Sequence, residues 1–164
     1  MAFLPEGFGV PEVLETARFR IRPITIHDVV KDYEAVMANR EYLWRLFGES
    51  WGWPPEDLTL EQDLIDLGWH QKEAQLRRSF NYAVMSSPDE ARLLGCVYVD
   101  PPEKAGADAD IVFWVRDSEL ESGLEQELDT FVRRWVAEQW PFTVARYPGR
   151  DLPWEAWSAL PDVD

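Results

Sequence analysis

The chain has 164 residues, 46% of them apolar, with 31 acidic against 16 basic residues and a formal charge of −15. That is one domain's length with enough apolar side chain for a sizeable core. A surface so negative repels phosphate, which argues against nucleic acid and anionic membrane as partners and leaves room for a cationic small molecule.

The same charge is also compatible with a role in solubility alone. The one cysteine, Cys96, lies in the apolar run 93–99. It permits no internal disulfide and fits a buried thiol in a reducing, cytoplasmic setting. The first residues, Met1 to Glu6, lack the basic stretch and apolar core of a signal peptide, and no run of about eighteen apolar residues occurs. A soluble protein is expected.

In chain order, Arg18-Phe19-Arg20-Ile21-Arg22 alternates polar and apolar residues and stops at Pro23, as a half-buried strand does. Thr25 opens a helix, paired with Asp28 in a capping box, and Ile26, Val29, Val30, Tyr33, Val36 and Met37 give it an apolar face to about Asn39. Residues 46–55 hold Gly48, Gly52 and the pair Pro54-Pro55 and read as a loop. Thr59 with Gln62 caps a second helix, which runs through Leu60, Leu64 and Leu67 to about Arg77.

Phe80, Tyr82 and Val84 alternate as a strand, and Ser86-Ser87-Pro88-Asp89 turns it into a second strand over 92–100. After a Pro- and Gly-containing loop, Asp110 to Val115 reads as a third strand of this group. The turn from Arg116 leads into a long helix with a stripe at Leu120, Leu124, Leu128, Phe131, Trp135 and Val136. Residues 142–147 form a last short strand. The remainder, 148–164, has little room for regular structure, and Trp154 and Trp157 are expected to anchor it across an open sheet edge.

This order, with three local segments, resembles the GNAT superfamily of acyl-CoA-dependent N-acyltransferases. The segments are Phe19-Arg20-Ile21-Arg22-Pro23-Ile24-Thr25, Leu93-Leu94-Gly95-Cys96-Val97 and Ala109-Asp110-Ile111-Val112-Phe113-Trp114-Val115. They are similar to the family's first strand, third strand and fourth strand. The resemblance implies an α/β (α+β) fold, a central, mostly antiparallel twisted sheet flanked by helices. It implies a single domain over 1–164 with its core at 18–147, lacking the family's usual last helix and strands.

The resemblance also implies a cofactor, acetyl-CoA or another acyl-CoA, and an amine as acceptor. The cofactor would lie on the backbone of Phe113 and Val115 and at the turn formed by Arg116, Ser122, Gly123 and Leu124. In the family that turn reads R-G-x-G-x-G/A, and its bare amides at a helix N-terminus bind pyrophosphate. Here the four key positions are Leu120, Glu121, Gly123 and Glu125.

A carboxylate in a first helical turn occupies the electrostatic site that phosphate would use. Two unit charges about 5 Å apart in a dielectric near 20 repel by roughly 3 kcal/mol. Weak or absent cofactor binding is the expectation, with Arg116 the nearest compensating cation.

Asp110 matches a position often held by an acid in the family and is the candidate general base, against the plain reading of a carboxylate at a strand entrance. Tyr98 and Tyr147 are the tyrosines that could return a proton to the thiolate. Trp51, Trp53 and Tyr98 are candidate walls of an acceptor pocket, where rings beside acids suit a cationic amine. The alternative is that Trp51-Gly52-Trp53-Pro54 packs onto the sheet or onto a second copy in a homodimer.

No metal is expected. Asp117, Glu119 and Glu121 alternate, but the glycine and the acid that a calcium loop needs are replaced by Ser122 and Leu128, and His27 and His70 stand far apart. Two functions remain. One is an acyl-CoA-dependent N-acyltransferase, which the fourth-strand pattern favours. The other is a non-catalytic scaffold holding a small molecule, a partner protein or its own copy, which the acidic turn favours.

Overall fold

The computed structural model describes residues 2–163; Met1 and Asp164, the ends of the expected domain, lie outside the described residues. Six strands form one sheet in chain order: β1 (Leu14–Glu15), β2 (Phe19–Pro23), β3 (Phe80–Ser86), β4 (Leu93–Asp100), β5 (Ala109–Val115) and β6 (Ala145–Arg146). Neighbours pair antiparallel except β5 and β6, which run parallel. Helices α1 (Val29–Ala38), α2 (Arg40–Trp51) and α3 (Leu60–Gln75) cover one face, and α4 (Leu124–Gln139) covers the other.

The period-two alternation of the strands sorts their side chains between two cores. Phe19, Ile21, Tyr82, Val97, Ile111 and Phe113 pack with Leu124, Leu128, Val132 and Trp135 of α4. Ala83, Met85, Cys96, Val112 and Trp114 pack with Ala35 and Val36 of α1, Leu43 and Phe47 of α2 and Leu67 of α3. Coverage of both faces explains why β5 is buried at every position and reads as a continuous apolar run.

The expected caps form. Thr25 and Asp28 satisfy each other's backbone N–H groups, and the Thr59 hydroxyl accepts from the Gln62 N–H at 3.0 Å. The Gln62 side chain turns instead to Asp66, at 2.9 Å. In the hairpin turn Asp89 Oδ1 accepts from the Ala91 N–H at 3.1 Å, a local bond of the type that makes Asp a turn residue.

Four boundaries differ from expectation. The first helix divides into a 3-10 turn (Ile26–Asp28) and α1, and a further helix, α2, follows it and includes residues 46–51, which were expected to be loop. Gly48 is a packing residue, not a breaker: a Cβ there would lie 2.5 Å from the Trp44 ring, so glycine lets that indole fold against its own helix. The stripe of α4 begins at Leu124. Leu120 sits in a 3-10 turn (Asp117–Ser122) and is 38% exposed, because Gly123, at φ +82°, reorients the chain before the helix starts.

The expected strand over 142–147 shrinks to Ala145–Arg146, and the tail contains a short helix, α5 (Trp154–Ser158). β1 adds an edge strand beside β2.

Candidate functional site

Strand alternation places Cys96, Tyr98 and Asp100 of β4 on the face covered by α1–α3, and Asn81 of β3 stands opposite Tyr98 in register. Beneath the helices a cavity of about 290 Å³ opens over Asn81, Tyr98 and Asp100. Helix α1 contributes Asp32, and α3 contributes Asp63, Asp66, Trp69 and His70. The end of α2 and the loop after it contribute Trp51 and Trp53. Among the described residues no Lys or Arg lines this chamber.

Trp51 is set by stacking on Phe47, ring centroids 4.5 Å apart, and presents its edge to Tyr98 at 5.5 Å. Trp114 Nε1 donates to the Tyr98 hydroxyl oxygen at 3.2 Å.

Packing these carboxyls under helices shifts their titration. Asp32 is buried, and its carboxyl lies well above the usual range, first through desolvation and then through the charge of Asp63. Burial pushes Asp63 up to about 6, while its hydrogen bond with Asp32 acts the other way. Burial thus holds both carboxyls of the pair above their usual range. The Cys96 thiol donates to Asp32 Oδ1 at 3.8 Å.

Asp63 Oδ2 and Asn81 Oδ1 are buried and have no hydrogen-bond partner among the described residues. At the other end of the chamber Asp100 is pushed up to about 7 by burial and then by the charges of Asp110 and Glu103. Burial lowers the pKa of His70, so its imidazole is neutral at pH 7 and adds no positive charge.

Of the residues expected to form the acceptor pocket, the structure brings together Trp51, Trp53 and Tyr98. Asp110 is not a free base. Its carboxylate is held by Arg146, with Nε 2.6 Å from Oδ1 and Nη2 3.0 Å from Oδ2, and by Trp157 Nε1 at 3.2 Å. Its effect on the chamber is through its charge on Asp100, its cross-strand partner. Tyr147 is buried beneath the Arg133 guanidinium, 4.2 Å from the ring centroid, and does not line the chamber.

The acids that replace Asp110 there, Asp32, Asp63 and Asp100, come from three elements. The one sequence signal for any of them was the alternation Cys96-Tyr98-Asp100.

At the start of α4 a cleft of about 600 Å³ is lined by Leu120, Glu121, Gly123, Glu125, Asp129 and Arg150, among others. Arg116 does not face it. The side chain is 4% exposed, forms a two-pronged ion pair with Glu34 and donates from Nε to the Leu93 carbonyl, so it is neither a solvated strand end nor a phosphate ligand. This pairing holds the Glu34 carboxyl below its usual range.

Other arginines neutralise the turn. Arg18 pairs with Glu127 at 3.1 Å and Glu119 at 3.6 Å, Arg92 lies 3.8 Å from Glu119, and Arg150 pairs with Glu125 at 3.0 Å. Glu121 alone among Glu119, Glu121, Glu125 and Glu127 has no ion-pair partner among the described residues. The expected repulsion of phosphate therefore reduces mainly to Glu121.

Ser122 Oγ accepts from Arg18 Nη2 and from the Leu124 N–H, at 2.5 and 3.3 Å, while the Leu124 side chain is buried in the core. β6 pairs with β5 only at Ala109 and Asp110, which leaves the outer edge of β5 open through Phe113 to Val115. Arg150 fills part of that edge: Nη2 donates to the Phe113 carbonyl at 2.9 Å and the guanidinium lies 3.6 Å over the Phe113 ring.

Among the described residues no group of three or more His, Cys, Asp or Glu side chains is placed to hold a metal ion. No helix among them is long and apolar enough to cross a membrane.

No protein-family model matches the sequence, and no curated protein matches it. Solved structures do. The ribosomal-protein-S5-alanine acetyltransferase of Vibrio fischeri superposes with a TM-score of 0.59 at 16% identity, over 77% of this chain and 67% of that chain. RimL, a ribosomal L7/L12 α-N-protein acetyltransferase, in complex with coenzyme A gives 0.60 at 16% identity, over 76% and 68%. The microcin C7 self-immunity acetyltransferase MccE, in complex with acetyl-CoA and AMP, gives 0.57 at 10% identity, over 73% and 63%. The match thus spans 63 to 68% of the length of these chains. At such identities the likeness establishes the fold, which is that of the GNAT N-acetyltransferases.

Proposed function

With the acetyltransferase fold as premise, we propose that the protein transfers an acyl group from an acyl-CoA, such as acetyl-CoA, to a cationic amine held in the acid-aromatic chamber. The observation that carries this reading is the chamber itself, where carboxyls and indoles line β4 with no Lys or Arg among them. An ammonium group entering it gains ion pairing and cation–π attraction in a site already desolvated. The adjacent strand, β5, pairs with β6 only at Ala109 and Asp110 and so has a backbone edge suited to an extended thioester.

Transfer requires the bound ammonium to lose a proton, the free amine to attack the thioester carbonyl carbon, and the C–S bond to break with protonation of the thiolate. Asp63 and Asp100, titrating near 6 and 7, are matched to accept the ammonium proton near neutral pH. Tyr98 keeps its proton well above its ordinary range through burial and is the hydroxyl that the chamber offers the departing sulfur. A thiol-release assay with acetyl-CoA and a panel of primary amines tests the reading. Amine-dependent release, reduced at least about tenfold in Asp63→Asn or Asp100→Asn, is expected. No release with any amine, together with no thermal shift in millimolar acetyl-CoA, overturns it.

One observation favours a second reading, a non-catalytic amine-binding scaffold. Arg150 already satisfies the Phe113 carbonyl and Glu125, so the protein's own segment occupies the strand edge that an acyl-CoA needs. Under that reading amines raise the melting temperature, whereas acetyl-CoA fails to do so even in Arg150→Ala.

A further inference from the structure

The chamber has carboxyls at two ends and rings between them. Tyr98 and Asp100 follow one another on the same face of β4, about 7 Å apart at roughly 3.3 Å per residue, and Asn81 of β3 stands opposite Tyr98. Asp63, beside Asp32, and Asn81 mark one end of the chamber, and Asp100 marks the other. Between them Tyr98 is flanked by Trp51 at 5.5 Å and by His70 at 6.2 Å.

Two further observations point to a ligand rather than to a bare acidic cluster. Asp63 is 3% exposed and Asn81 6% exposed, both line the chamber, and each has a buried oxygen without a partner among the described residues. Both orphaned atoms are acceptors, so the missing group is a donor. Leaving such oxygens unpaired costs free energy, which a bound N–H donor recovers.

We infer that the chamber takes an aliphatic diamine, with one ammonium at Asp63 and Asn81, the second at Asp100, and the methylenes across Tyr98 beside Trp51. A monoamine satisfies one end only. A zwitterion such as an amino acid brings a carboxylate against Asp100 or Asp63, and no cation lines the chamber to receive it. This inference rests on the reading that the chamber is the amine site, but it concerns binding alone and needs no acyl donor.

Calorimetric titration of the unmodified protein at pH 8 with 1,5-diaminopentane, 1-aminopentane and 5-aminopentanoate tests it. The diamine should bind about tenfold or more tighter than the monoamine, and the zwitterion should not bind. Asp100→Asn should bring the diamine's affinity down to the monoamine's, and Asp63→Asn should weaken diamine binding too. Equal affinity for diamine and monoamine, or an Asp100→Asn protein that still prefers the diamine, overturns the two-ended site but leaves an amine site standing. Binding of none of the three by protein whose melting transition is intact overturns both.

Discussion

The chamber under α1–α3 and the turn before α4 are both rich in carboxylates, yet they are built in opposite ways. At the turn Glu119, Glu125 and Glu127 each face an arginine brought from elsewhere, Arg18, Arg92 or Arg150. Among the described residues no arginine or lysine lines the chamber, its carboxyls are pushed up by burial, and two of its buried acceptors have no partner. The paired acids bind the fold to itself. The unpaired ones are held at a cost in stability, which on the proposed reading a bound cation recovers. Charge count alone cannot separate the two; partner count can.

Removing a partner from a paired acid should have the largest effect. Arg146→Ala strands the buried Asp110 carboxylate and is expected to cost about 3–5 kcal/mol in urea unfolding. An unchanged midpoint would remove the distinction between paired and unpaired acids.

The same operation in the chamber should have the opposite sign. Asp100→Asn should stabilise the unliganded protein at pH 8 by roughly 1 kcal/mol, because it deletes a buried charge. The gain should fall close to zero by pH 4, where the aspartate is protonated in the folded state and about half-protonated in the unfolded one. Destabilisation at pH 8 would mean that Asp100 is held by a favourable interaction instead.

The pH course follows from the same shifts. Folded Asp63 and Asp100 titrate near 6 and 7, whereas an unfolded aspartate titrates near 3.9. Between these limits the folded state binds more protons than the unfolded one, so their contribution makes stability fall as pH rises from about 4 to about 7. The difference in unfolding free energy between wild type and the Asp63→Asn/Asp100→Asn double variant isolates this slope. A flat difference from pH 4.5 to 7.5 would count against it.

The smallest effect is expected at the turn. Glu121→Gly should strengthen acetyl-CoA binding by up to about tenfold, and Glu125→Gly by less, since Arg150 already offsets that charge. Dissociation constants from thermal shift would rank them, and the reverse order would contradict the neutralisation argument.

Much of the fold was legible because its signals are local. Alternation marked Phe19–Pro23 and the β3–β4 hairpin, and Thr25 with Asp28 marked a helix start. Gly48 misled because its packing against Trp44 lies within one helical turn, and the breaker rule does not register such a contact. The site was legible only in its rings. Trp51, Trp53 and Tyr98 could be named from residue type and resemblance, whereas Asp32, Asp63 and Asp100 sit on α1, α3 and β4 and converge only in three dimensions. Asp110 and Arg116 were misjudged for the same reason: Arg146 and Glu34, the partners that immobilise them, are 36 and 82 residues away.

The most direct test is proton release on amine binding, measured by titrating 1,5-diaminopentane at pH 6.5 in buffers of different ionisation enthalpy. With Asp63 and Asp100 near 6 and 7, binding that ionises both should release about one proton per ligand, falling towards zero at pH 8.5. Binding that releases no proton at pH 6.5, or that persists undiminished in the Asp63→Asn/Asp100→Asn variant, would contradict the claim that the unpaired acids of the chamber form the amine site.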